Sequence, residues 1–336
     1  MSEVIEARML HSRIQRLKKS NNILNVFIKR EDELSFGISG TKIRKYKSLI
    51  PELKRKKINK ILVIAGKNSN NLLAAAQLLT EAGFDAHFLI FGTKEWPSYY
   101  SSFDFFKLLI PADKIFWQSS EDWPQVEPIS HSINKENLKN EAYILHEGAF
   151  SEHSLPGAME LYDSVLANQE EHQLKFDHIF MDSGSGLGAS AFLIQYFLAG
   201  KINAHIHITQ MAGGEEELFK AYEKCCSWAQ NKKMLYGSED INNFRQLPDL
   251  RTQEKVSVYK PSLAPSFGSV NSSVLKFVKQ FAQEEGVILD PLYNAKAFHK
   301  ASEVIEKNSL KGNTLLIHSG GALGLVGYLD QLRKLD

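Results

Sequence analysis

The sequence predicts an α/β fold built on parallel sheets that helices cover on both faces. Short apolar runs of strand length alternate along the 336 residues with longer segments of helical periodicity. This rhythm is typical of βαβ units, whose parallel strands are buried on both faces. No linker rich in Pro, Gly or Ser divides the chain, and no internal repeat is visible. A continuous chain of this kind can still form two lobes if it leaves one lobe and later returns to it.

The strand candidates are apolar runs bounded by polar or turn-forming residues. In chain order they are Lys60–Gly66, Asp85–Phe91, Ile115–Gln118, Ala142–His146, Asp177–Asp182, Ala204–Thr209, Ser257–Tyr259 and Thr314–His318. The helix candidates are amphipathic stretches whose apolar residues recur at helical spacing. They are Asn70–Ala82, Leu155–Ala167, Gly188–Ala199, Asn271–Glu285 and Ala295–Lys307, and a further helix is predicted to begin at Lys42. The polar stretch Glu121–Asn140 is expected to be a surface excursion.

Composition and charge argue against several classes of function. Hydrophobic residues make up 43% and charged residues 24% of the chain, and the formal net charge is +1. A balanced charge gives no support for binding nucleic acid or an anionic membrane surface. The adjacent cysteines Cys225 and Cys226 form neither a metal-ligand pattern nor a disulfide framework. No signal peptide or membrane-spanning run is apparent, so we expect a cytoplasmic protein.

A lysine at a loop-to-helix junction is the first candidate for chemistry. Lys42 follows the segment Phe36–Thr41, which contains two glycines, and a helical pattern begins there. Amides at such a junction disfavour the ammonium form and lower the pKa of the lysine. A lysine of this kind suits Schiff-base chemistry. The alternative is an ordinary surface lysine in a basic stretch.

A polar loop that follows the strand Lys60–Gly66 opens the next helix. Its Gly66-Lys67 pair does not make a P-loop, because the upstream glycine is missing and Asn68 stands where Ser or Thr is required. Amides at a helix N-terminus can receive a carboxylate. The alternative is that Ser69 or Asn70 only caps the helix.

The clearest signal for an anion site is the glycine-rich stretch Asp182–Ser190, which lies between a strand and a helix. Glycines let the backbone approach an anion closely, and the helix dipole favours negative charge. The stretch also matches a dinucleotide fingerprint, which requires an acid at the end of the next strand. That strand runs into Thr209–Met211 without an acid, so we predict a phosphate site and not a dinucleotide site.

Two polar segments near the C-terminus complete the candidates, Asp290–Tyr293 and His318–Gly321. A hydroxyl at a strand end, followed by glycines, could meet a ring nitrogen of a cofactor. Ser319 could instead be a helix cap, and Tyr293 a half-buried aromatic residue. No set of histidines, cysteines or acids has metal-ligand spacing, so no metal is predicted.

In combination these segments resemble the D-cysteine desulfhydrase and 1-aminocyclopropane-1-carboxylate deaminase group of pyridoxal-phosphate enzymes. That group has K-R-E-D, a G-G-N-K-x-R-K-like segment, a strand ending in G-x-x-S-N, a glycine-rich phosphate loop, D-P-x-Y and H-T/S-G-G. The counterparts occur in the same order at Lys29–Asp32, Ser39–Lys45, Gly66–Asn70, Gly184–Gly188, Asp290–Tyr293 and His318–Gly321. The resemblance covers most of the chain, from about Lys29 to Tyr328.

The resemblance implies a tryptophan-synthase-β-like fold, fold type II among pyridoxal-phosphate enzymes. Residues 50–160 would form the smaller lobe, and residues 1–49 with 161–336 the larger one. Each lobe would be a largely parallel sheet flanked by helices, with pyridoxal 5'-phosphate between the lobes. The resemblance further implies a small amino-acid substrate and a homodimer.

The resemblance also assigns roles to individual residues. Lys42 would form a Schiff base with the cofactor and then move the proton at the α-carbon of the substrate. The residues that would hold the cofactor phosphate are Gly184, Ser185, Gly186, Leu187 and Gly188, and Ser319 would meet the pyridine nitrogen. The residues that would contact the substrate are Ser69, Asn70, Asn71, Phe267 and Tyr293. Ser69 and Tyr293 are, with Lys42, the predicted catalytic residues.

One departure from the family pattern decides the expected reaction. Phe267 lies in Ala264–Gly268, where the family has G-P-G-Y-G, so the hydroxyl of a second tyrosine is missing. Ring opening in the family depends on both tyrosines. We therefore expect β-elimination, with D-cysteine as the leading substrate. The alternatives are ring-opening deamination, another lyase or racemase activity on the same scaffold, and a non-catalytic cofactor-binding protein.

Overall fold

Strands and helices alternate along most of the chain. In this computed structural model, residues 10–18, 24–34, 40–94, 102–231 and 247–335 are described. Ser39, which opens the predicted lysine segment, lies outside these ranges.

The strands are β1 (Ile14–Arg16), β2 (Leu24–Arg30), β3 (Lys60–Gly66), β4 (Asp85–Phe91), β5 (Ile115–Gln118), β6 (Tyr143–Leu145), β7 (His178–Ser183), β8 (His205–Gln210), β9 (Val256–Tyr259) and β10 (Gly312–His318). The α-helices are α1 (Lys42–Arg55), α2 (Asn70–Glu81), α3 (Ser102–Leu109), α4 (Val126–Asn137), α5 (Leu155–Glu171), α6 (Leu187–Ala199), α7 (Glu215–Asn231), α8 (Ser272–Glu285), α9 (Asn294–Lys307) and α10 (Leu329–Arg333).

The described strands form two separate sheets. The larger sheet has the order β1-β2-β10-β7-β8-β9, and the smaller sheet has the order β5-β4-β3-β6. Neighbouring strands of these sheets run parallel except for β1 and β2, which are antiparallel. The α/β class with largely parallel sheets, predicted from the alternation of strand and helix patterns, is therefore confirmed.

Apolar side chains bury the sheets against helices. Residues of α5, α6 and α7 cover one face of the larger sheet, and residues of α8 and α9 cover the other. On the smaller sheet, α1, α2 and α3 contribute to the core of one face, and α4 packs against the other. Within the described residues, no helix is both long and apolar enough to cross a membrane.

Each strand and helix predicted from the sequence is present, with small shifts at the ends. The helix α5 continues to Glu171 rather than ending at Ala167. The stretch expected to be a surface excursion contains α4, whose Ile129 and Ile133 pack onto the smaller sheet. These two residues are four apart and lie on one face of the helix, so they anchor an otherwise exposed segment.

Candidate active site

A cavity of about 810 Å³ lies at the carboxyl ends of β3, β7 and β10 and is lined by residues from both sheets and their loops. In parallel sheets the strand-end loops are where ligand sites form. Most of the predicted site residues line this cavity: Lys42, Ser69, Asn71, Gly184, Ser185, Gly186, Gly188, Phe267, Tyr293 and Ser319. Asn70 and Leu187 are not among the lining residues.

Lys42 is the first residue of α1 and is half-buried in the cavity wall. Its Nζ lies 5.9 Å from the centroid of the Tyr293 ring. Burial lowers the pKa of Lys42, while the acidic groups of Asp182, Asp290 and Glu147 act in the opposite direction. Burial, rather than the helix amides considered above, is thus the main cause that favours a neutral amine.

The K-R-E-D segment anchors the helix that carries Lys42. Glu31 and Arg44 form a buried, two-point ion pair, with Arg44 Nε 2.6 Å from Oε2 and Nη2 2.8 Å from Oε1. Lys29 is also buried and donates to Ser164 Oγ at 2.6 Å and to the carbonyl oxygen of Ser12 at 2.7 Å. The segment therefore has a structural role, because it fixes α1 against the larger sheet.

The lysine loop and the loop after β10 touch through their backbones. Thr41 N donates to Ser319 O at 3.0 Å. A Cβ atom added to Gly40 would lie 2.2 Å from that oxygen, and one added to Gly320 would lie 2.6 Å from Gly40 Cα. Both glycines have positive φ, at 50° and 99°. This contact brings Lys42 and Ser319 to the same wall of the cavity.

The glycine-rich loop forms an open cradle at the N-terminus of α6. Gly186 precedes the helix with φ 87°, a conformation that favours glycine. The first N–H groups of a helix have no intrahelical partner, so they are available to an anion. A Cβ atom on Gly188 would meet nothing within 4 Å, whereas the side chain of Leu187 is buried in the core. Leu187 can therefore contribute only its backbone here.

A buried aspartate sets the position of Tyr293. The Asp290 carboxylate accepts hydrogen bonds from the backbone N–H groups of Leu292, Tyr293 and Asn294, at distances that range from 2.9 to 3.3 Å. Asn294 in turn accepts from Ser319, whose N is 2.9 Å and whose Oγ is 3.3 Å from Oδ1. One network thus joins the D-P-x-Y and H-S-G-G segments.

Asn70 does not line the cavity, although the resemblance implies that it contacts the substrate. Its Nδ2 donates to Asp290 Oδ1 at 3.5 Å, and its side chain fills the space where Gly321 has no Cβ. Asn71 does line the cavity. Asn71 Oδ1 accepts from Tyr46 at 3.2 Å, while its buried Nδ2 has no hydrogen-bond partner in the described part of the chain.

Sequence reasoning missed Glu147, which lies beside Ser69. Ser69 Oγ donates to Glu147 Oε1 at 2.6 Å. Glu147 also accepts from the backbone N–H of Gly66 at 2.9 Å and of Gly148 at 3.1 Å. Burial raises the pKa of Glu147, while these hydrogen bonds and the charge of Lys42 act against that rise. Glu147 is 78 residues from Ser69 in the chain, so no local pattern indicates the contact.

Two further charged residues in the cavity wall were also missed. Lys45 Nζ donates to Gly148 O at 2.7 Å, and burial lowers the pKa of Lys45 to about 7. At the end of β7, burial raises the pKa of Asp182, while the nearby Ser319 side chain and the charge of Lys42 act in the opposite direction. The surroundings of Ser319 therefore include a carboxyl group as well as the hydroxyl expected from the sequence.

Phe267 and Tyr293 form the outer part of the site. Their ring centroids are 6.3 Å apart with an interplanar angle of 75°, an edge-to-face contact. Phe267 is 59% exposed, so it lies at the mouth of the cavity. Burial raises the pKa of Tyr293 well above its ordinary value, so its phenol stays neutral.

These groups suit the cofactor that the resemblance implies. The glycine cradle offers N–H groups to a phosphate, and Lys42 offers an amine. Two buried polar atoms in the wall, Asn71 Nδ2 and Asp182 Oδ1, have no hydrogen-bond partner among the described residues. The cavity therefore has donors and acceptors for an anionic ligand with a heteroaromatic ring.

Comparison with known proteins gives relatives that cover almost the whole chain. No family model matches. The chain is 28% identical over 319 residues to a putative 1-aminocyclopropane-1-carboxylate deaminase of Thermotoga maritima, covering 92% of each protein. It is 24% identical over 313 residues to a protein of the same description from Pyrococcus horikoshii, covering 93% of this chain and 89% of that one. It is 25% identical over 328 residues to the bifunctional D-cysteine desulfhydrase/1-aminocyclopropane-1-carboxylate deaminase, mitochondrial, of Arabidopsis thaliana, covering 94% and 76%.

Solved structures have the same fold. An ACC deaminase homologue superposes with a TM-score of 0.75 at 20% identity, covering 98% of this chain and 96% of that one. A hydrogen sulfide-producing enzyme from Fusobacterium nucleatum superposes with a TM-score of 0.61 at 11% identity, covering 94% and 97%. The predicted fold type is thereby confirmed.

Proposed function

Because the chain belongs to the D-cysteine desulfhydrase and 1-aminocyclopropane-1-carboxylate deaminase family, we propose that it is a pyridoxal-phosphate-dependent amino-acid lyase. Its reaction would be β-elimination from a small amino acid. D-Cysteine is the leading substrate, and with water it would give pyruvate, ammonia and hydrogen sulfide. The observation that carries the proposal is that Lys42, the glycine cradle and Ser319 line one cavity.

Specific residues would hold the cofactor. Lys42 would carry it, the loop Gly184–Gly188 would bind its phosphate, and Ser319 would meet the ring nitrogen. Bound pyridoxal phosphate supplies the electron sink for reactions at the α-carbon of an amino acid. Burial lowers the pKa of Lys42, and this direction suits an amine that must take up and return a proton at that carbon.

Other residues would bind and orient the substrate. The N-terminus of α2 and Asn71 Nδ2, which has no hydrogen-bond partner among the described residues, offer donors to a substrate carboxylate. Tyr293 lies over the amine of Lys42, and its neutral phenol can donate a hydrogen bond to a substrate in the cavity. Phe267 at the mouth would limit the access of water.

Spectroscopy and an assay test the proposal together. The purified protein should show the visible absorbance band of a lysine-bound cofactor and should release sulfide from D-cysteine. Lys42→Ala should lose both, because Lys42 is the amine that would carry the cofactor. A wild-type protein that binds no added cofactor, or a variant that keeps the band, contradicts the proposal.

Ring-opening deamination is the second candidate, and the family name includes it. Tyr293 supports it, but Phe267 lacks the hydroxyl that a second tyrosine would bring to the same cavity. The missing hydroxyl should harm thiol elimination from D-cysteine less than ring opening, and we therefore rank elimination first.

The division into lobes, the oligomeric state and the cellular location are also part of this proposal. We propose that residues 50–160 form a smaller lobe and that residues 1–49 and 161–336 form the larger one. The strands of the four-stranded sheet, all between Lys60 and Leu145, support this division. We also propose a homodimer in the cytoplasm, and light scattering of the purified protein tests the dimer.

A further inference from the structure

On the side of the smaller sheet, the cavity extends beyond the residues that have a role in the proposed function. Past Ser69 and Asn71, its wall continues at the carboxyl ends of β4 and β5 with Phe91, Gly92, Thr93, Ser120 and Trp123. Sites for drug-sized ligands measure about 300–1,000 Å³. At about 810 Å³, this cavity lies in the upper part of that range. We therefore expect it to hold a substrate larger than D-cysteine beside the cofactor.

Backbone hydrogen bonds make this extension continuous with the loop after β3. Lys67 N donates to Phe91 O at 3.0 Å, and Gly92 N donates to Gln118 O at 2.9 Å. Gly92 has φ 154°, and a Cβ atom added to it would lie 2.9 Å from Lys67 Cβ, so the close approach of the loops requires a glycine. The loop after β3 leads into the N-terminus of α2. A substrate whose carboxylate is held there would have its side chain next to the ends of β4 and β5.

The wall of the extension is aromatic. Trp123 is 38% exposed, and its ring meets that of Phe91 edge to face, with the centroids 4.9 Å apart and an interplanar angle of 76°. Phe267 lines the same cavity from the side of the larger sheet and is exposed as well. Ligand pockets are lined mainly by apolar and aromatic side chains, which bury the apolar parts of the ligand. Both lobes therefore offer aromatic surface to a substrate.

Lys67 is the charged residue in this part of the wall. Its ammonium donates to Thr93 O at 2.9 Å and lies 6.0 Å from the ring centroids of both Phe103 and Trp117. A backbone carbonyl and two ring faces thus already attract the positive charge. An apolar ligand group is favoured over an acidic one for this reason, and the acidic group is an outcome of the test below.

We propose that Phe91 and Trp123 form an aromatic subsite, which binds an aromatic group carried on the β-carbon side of the substrate. This inference rests on the proposed function, because it takes the substrate to be an amino acid that loses its β-substituent. The substrate class is cysteine with an aromatic group on its sulfur. With S-benzyl-D-cysteine and water, the Cβ–S bond breaks, and the sulfur keeps the electron pair and takes up a proton. The products are phenylmethanethiol, pyruvate and ammonia.

Binding without elimination tests the aromatic subsite. D-Phenylalanine and D-alanine differ by an aromatic group on the β-carbon, and neither carries a leaving group. Calorimetry with the cofactor-loaded protein measures both affinities. D-Phenylalanine should bind at least about tenfold more tightly than D-alanine, because its ring is buried against Trp123. Trp123→Ala should reduce this ratio about fivefold or more, whereas Trp123→Phe should keep most of it.

Phe105→Ala is the matched control for Trp123→Ala. Phe105 is 39% exposed, almost the same fraction as Trp123, and lies on α3 of the same sheet, but it does not line the cavity. This variant should leave both affinities unchanged.

Turnover gives a second measurement. Pyruvate release should show a kcat/KM for S-benzyl-D-cysteine at least about fivefold above that for D-cysteine, because the subsite binds the benzyl group in the transition state as well. Trp123→Ala should lower the ratio of the two values about fivefold or more, and Phe105→Ala should not change it. A wild-type ratio below one would contradict the assigned substrate class.

Three results would overturn the inference and are distinguishable from failure of the proposed function. Equal affinities for D-alanine and D-phenylalanine would show that Trp123 only covers the cavity. Tighter binding of D-glutamate than of D-phenylalanine would show that Lys67 selects an acidic group. Equal losses of both affinities in Trp123→Ala would make Trp123 a general structural residue. The wild-type comparison decides even if Trp123→Ala does not fold. A wild-type protein that binds no cofactor overturns the proposed function and this inference together, whereas sulfide release from D-cysteine with equal affinities overturns the inference alone.

Discussion

At the mouth of the cavity, the rings of Phe267 and Tyr293 are in edge-to-face contact. The two side chains differ only in the hydroxyl group that Phe267 lacks. The exposed ring of Phe267 has room for that oxygen, because it is 59% accessible. We therefore expect that a substitution at this position can change the reaction preference without disturbing the core.

Phe267→Tyr should raise ring-opening activity on 1-aminocyclopropane-1-carboxylate by at least about tenfold, because a positioned hydroxyl provides a proton donor. Activity on D-cysteine should change much less. Parallel assays of ammonia release from both substrates measure this, with Phe267→Leu as the control that lacks the hydroxyl. Equal ring-opening rates in all three proteins would show that the missing tyrosine does not decide the reaction.

Lys45 gives a second prediction for a single residue, this one on pH. Burial lowers the pKa of Lys45 from 10.5 to about 7, so the unfolded chain binds its proton more tightly than the folded protein does. The contribution of Lys45 to stability should rise as pH increases from about 7 to 10.5. The wild-type melting temperature should increase relative to that of Lys45→Met over this interval. A constant difference between the two proteins would mean that Lys45 titrates normally in the folded state.

At the scale of elements, the helix that carries Lys42 depends on the buried ion pair between Glu31 and Arg44. Arg44→Met should destabilise the protein by about 3–5 kcal/mol, because it leaves the Glu31 carboxylate buried without its partner. Replacing both residues, as Glu31→Leu with Arg44→Met, should recover much of that loss. Urea unfolding measures the free energies.

The exposed pair of Glu52 and Arg55 is the control for this experiment. Its closest nitrogen and oxygen atoms are 2.7 Å apart, but Arg55 is 71% exposed. Glu52→Gln should therefore change the stability by less than about 1 kcal/mol. A similar loss for both pairs would contradict the assignment of the K-R-E-D segment as the anchor of α1.

The contact between the loops at Gly40 and Gly320 leads to a prediction with a natural control. Gly40→Ala should impair cofactor binding, because the added Cβ would lie 2.2 Å from Ser319 O and push the two loops apart. Gly83 also has positive φ, at 81°, but nothing lies within 4 Å of an added Cβ. Gly83→Ala should cost only the backbone strain of about 1–2 kcal/mol and leave the cofactor affinity unchanged. Titration with pyridoxal phosphate compares the two variants.

The same elements show what the sequence could and could not predict. Strands such as Lys60–Gly66 and the loops that follow them are local patterns, and the structure has them where the periodicity and the glycines indicate. The partners of Ser69 and Ser319 are not local. Glu147 approaches Ser69 only when β6 pairs with β3, and Asp182 approaches Ser319 only when β10 pairs with β7. A lone Glu-Gly or an aspartate at a strand end is common in any α/β chain. β2 was also missed, because Lys29 and Arg30 at its end look like solvent-exposed residues although Lys29 is fully buried.

At the scale of the whole molecule, the cavity exists only because two sheets present their strand ends to each other. Asn71 comes from a helix of the smaller sheet, and the loop Gly184–Gly188 comes from the larger one. Neither sheet contains a complete set of donors for an amino acid and a phosphate. Binding of both ligands should therefore require both sheets to be folded.

The larger sheet has one property that matters while the protein is being made. β10 lies between β2 and β7 and pairs with both in parallel register, although it follows every other strand of the sheet in the chain. During translation, the edges of β2 and β7 that will pair with β10 have no strand to bond to until residues 312–318 have left the ribosome. A nascent chain shorter than this has a gap in the middle of its sheet and two open edges, which are sites for aggregation. We therefore expect a chain truncated before that strand to aggregate and to retain no coenzyme, since Ser319 follows β10.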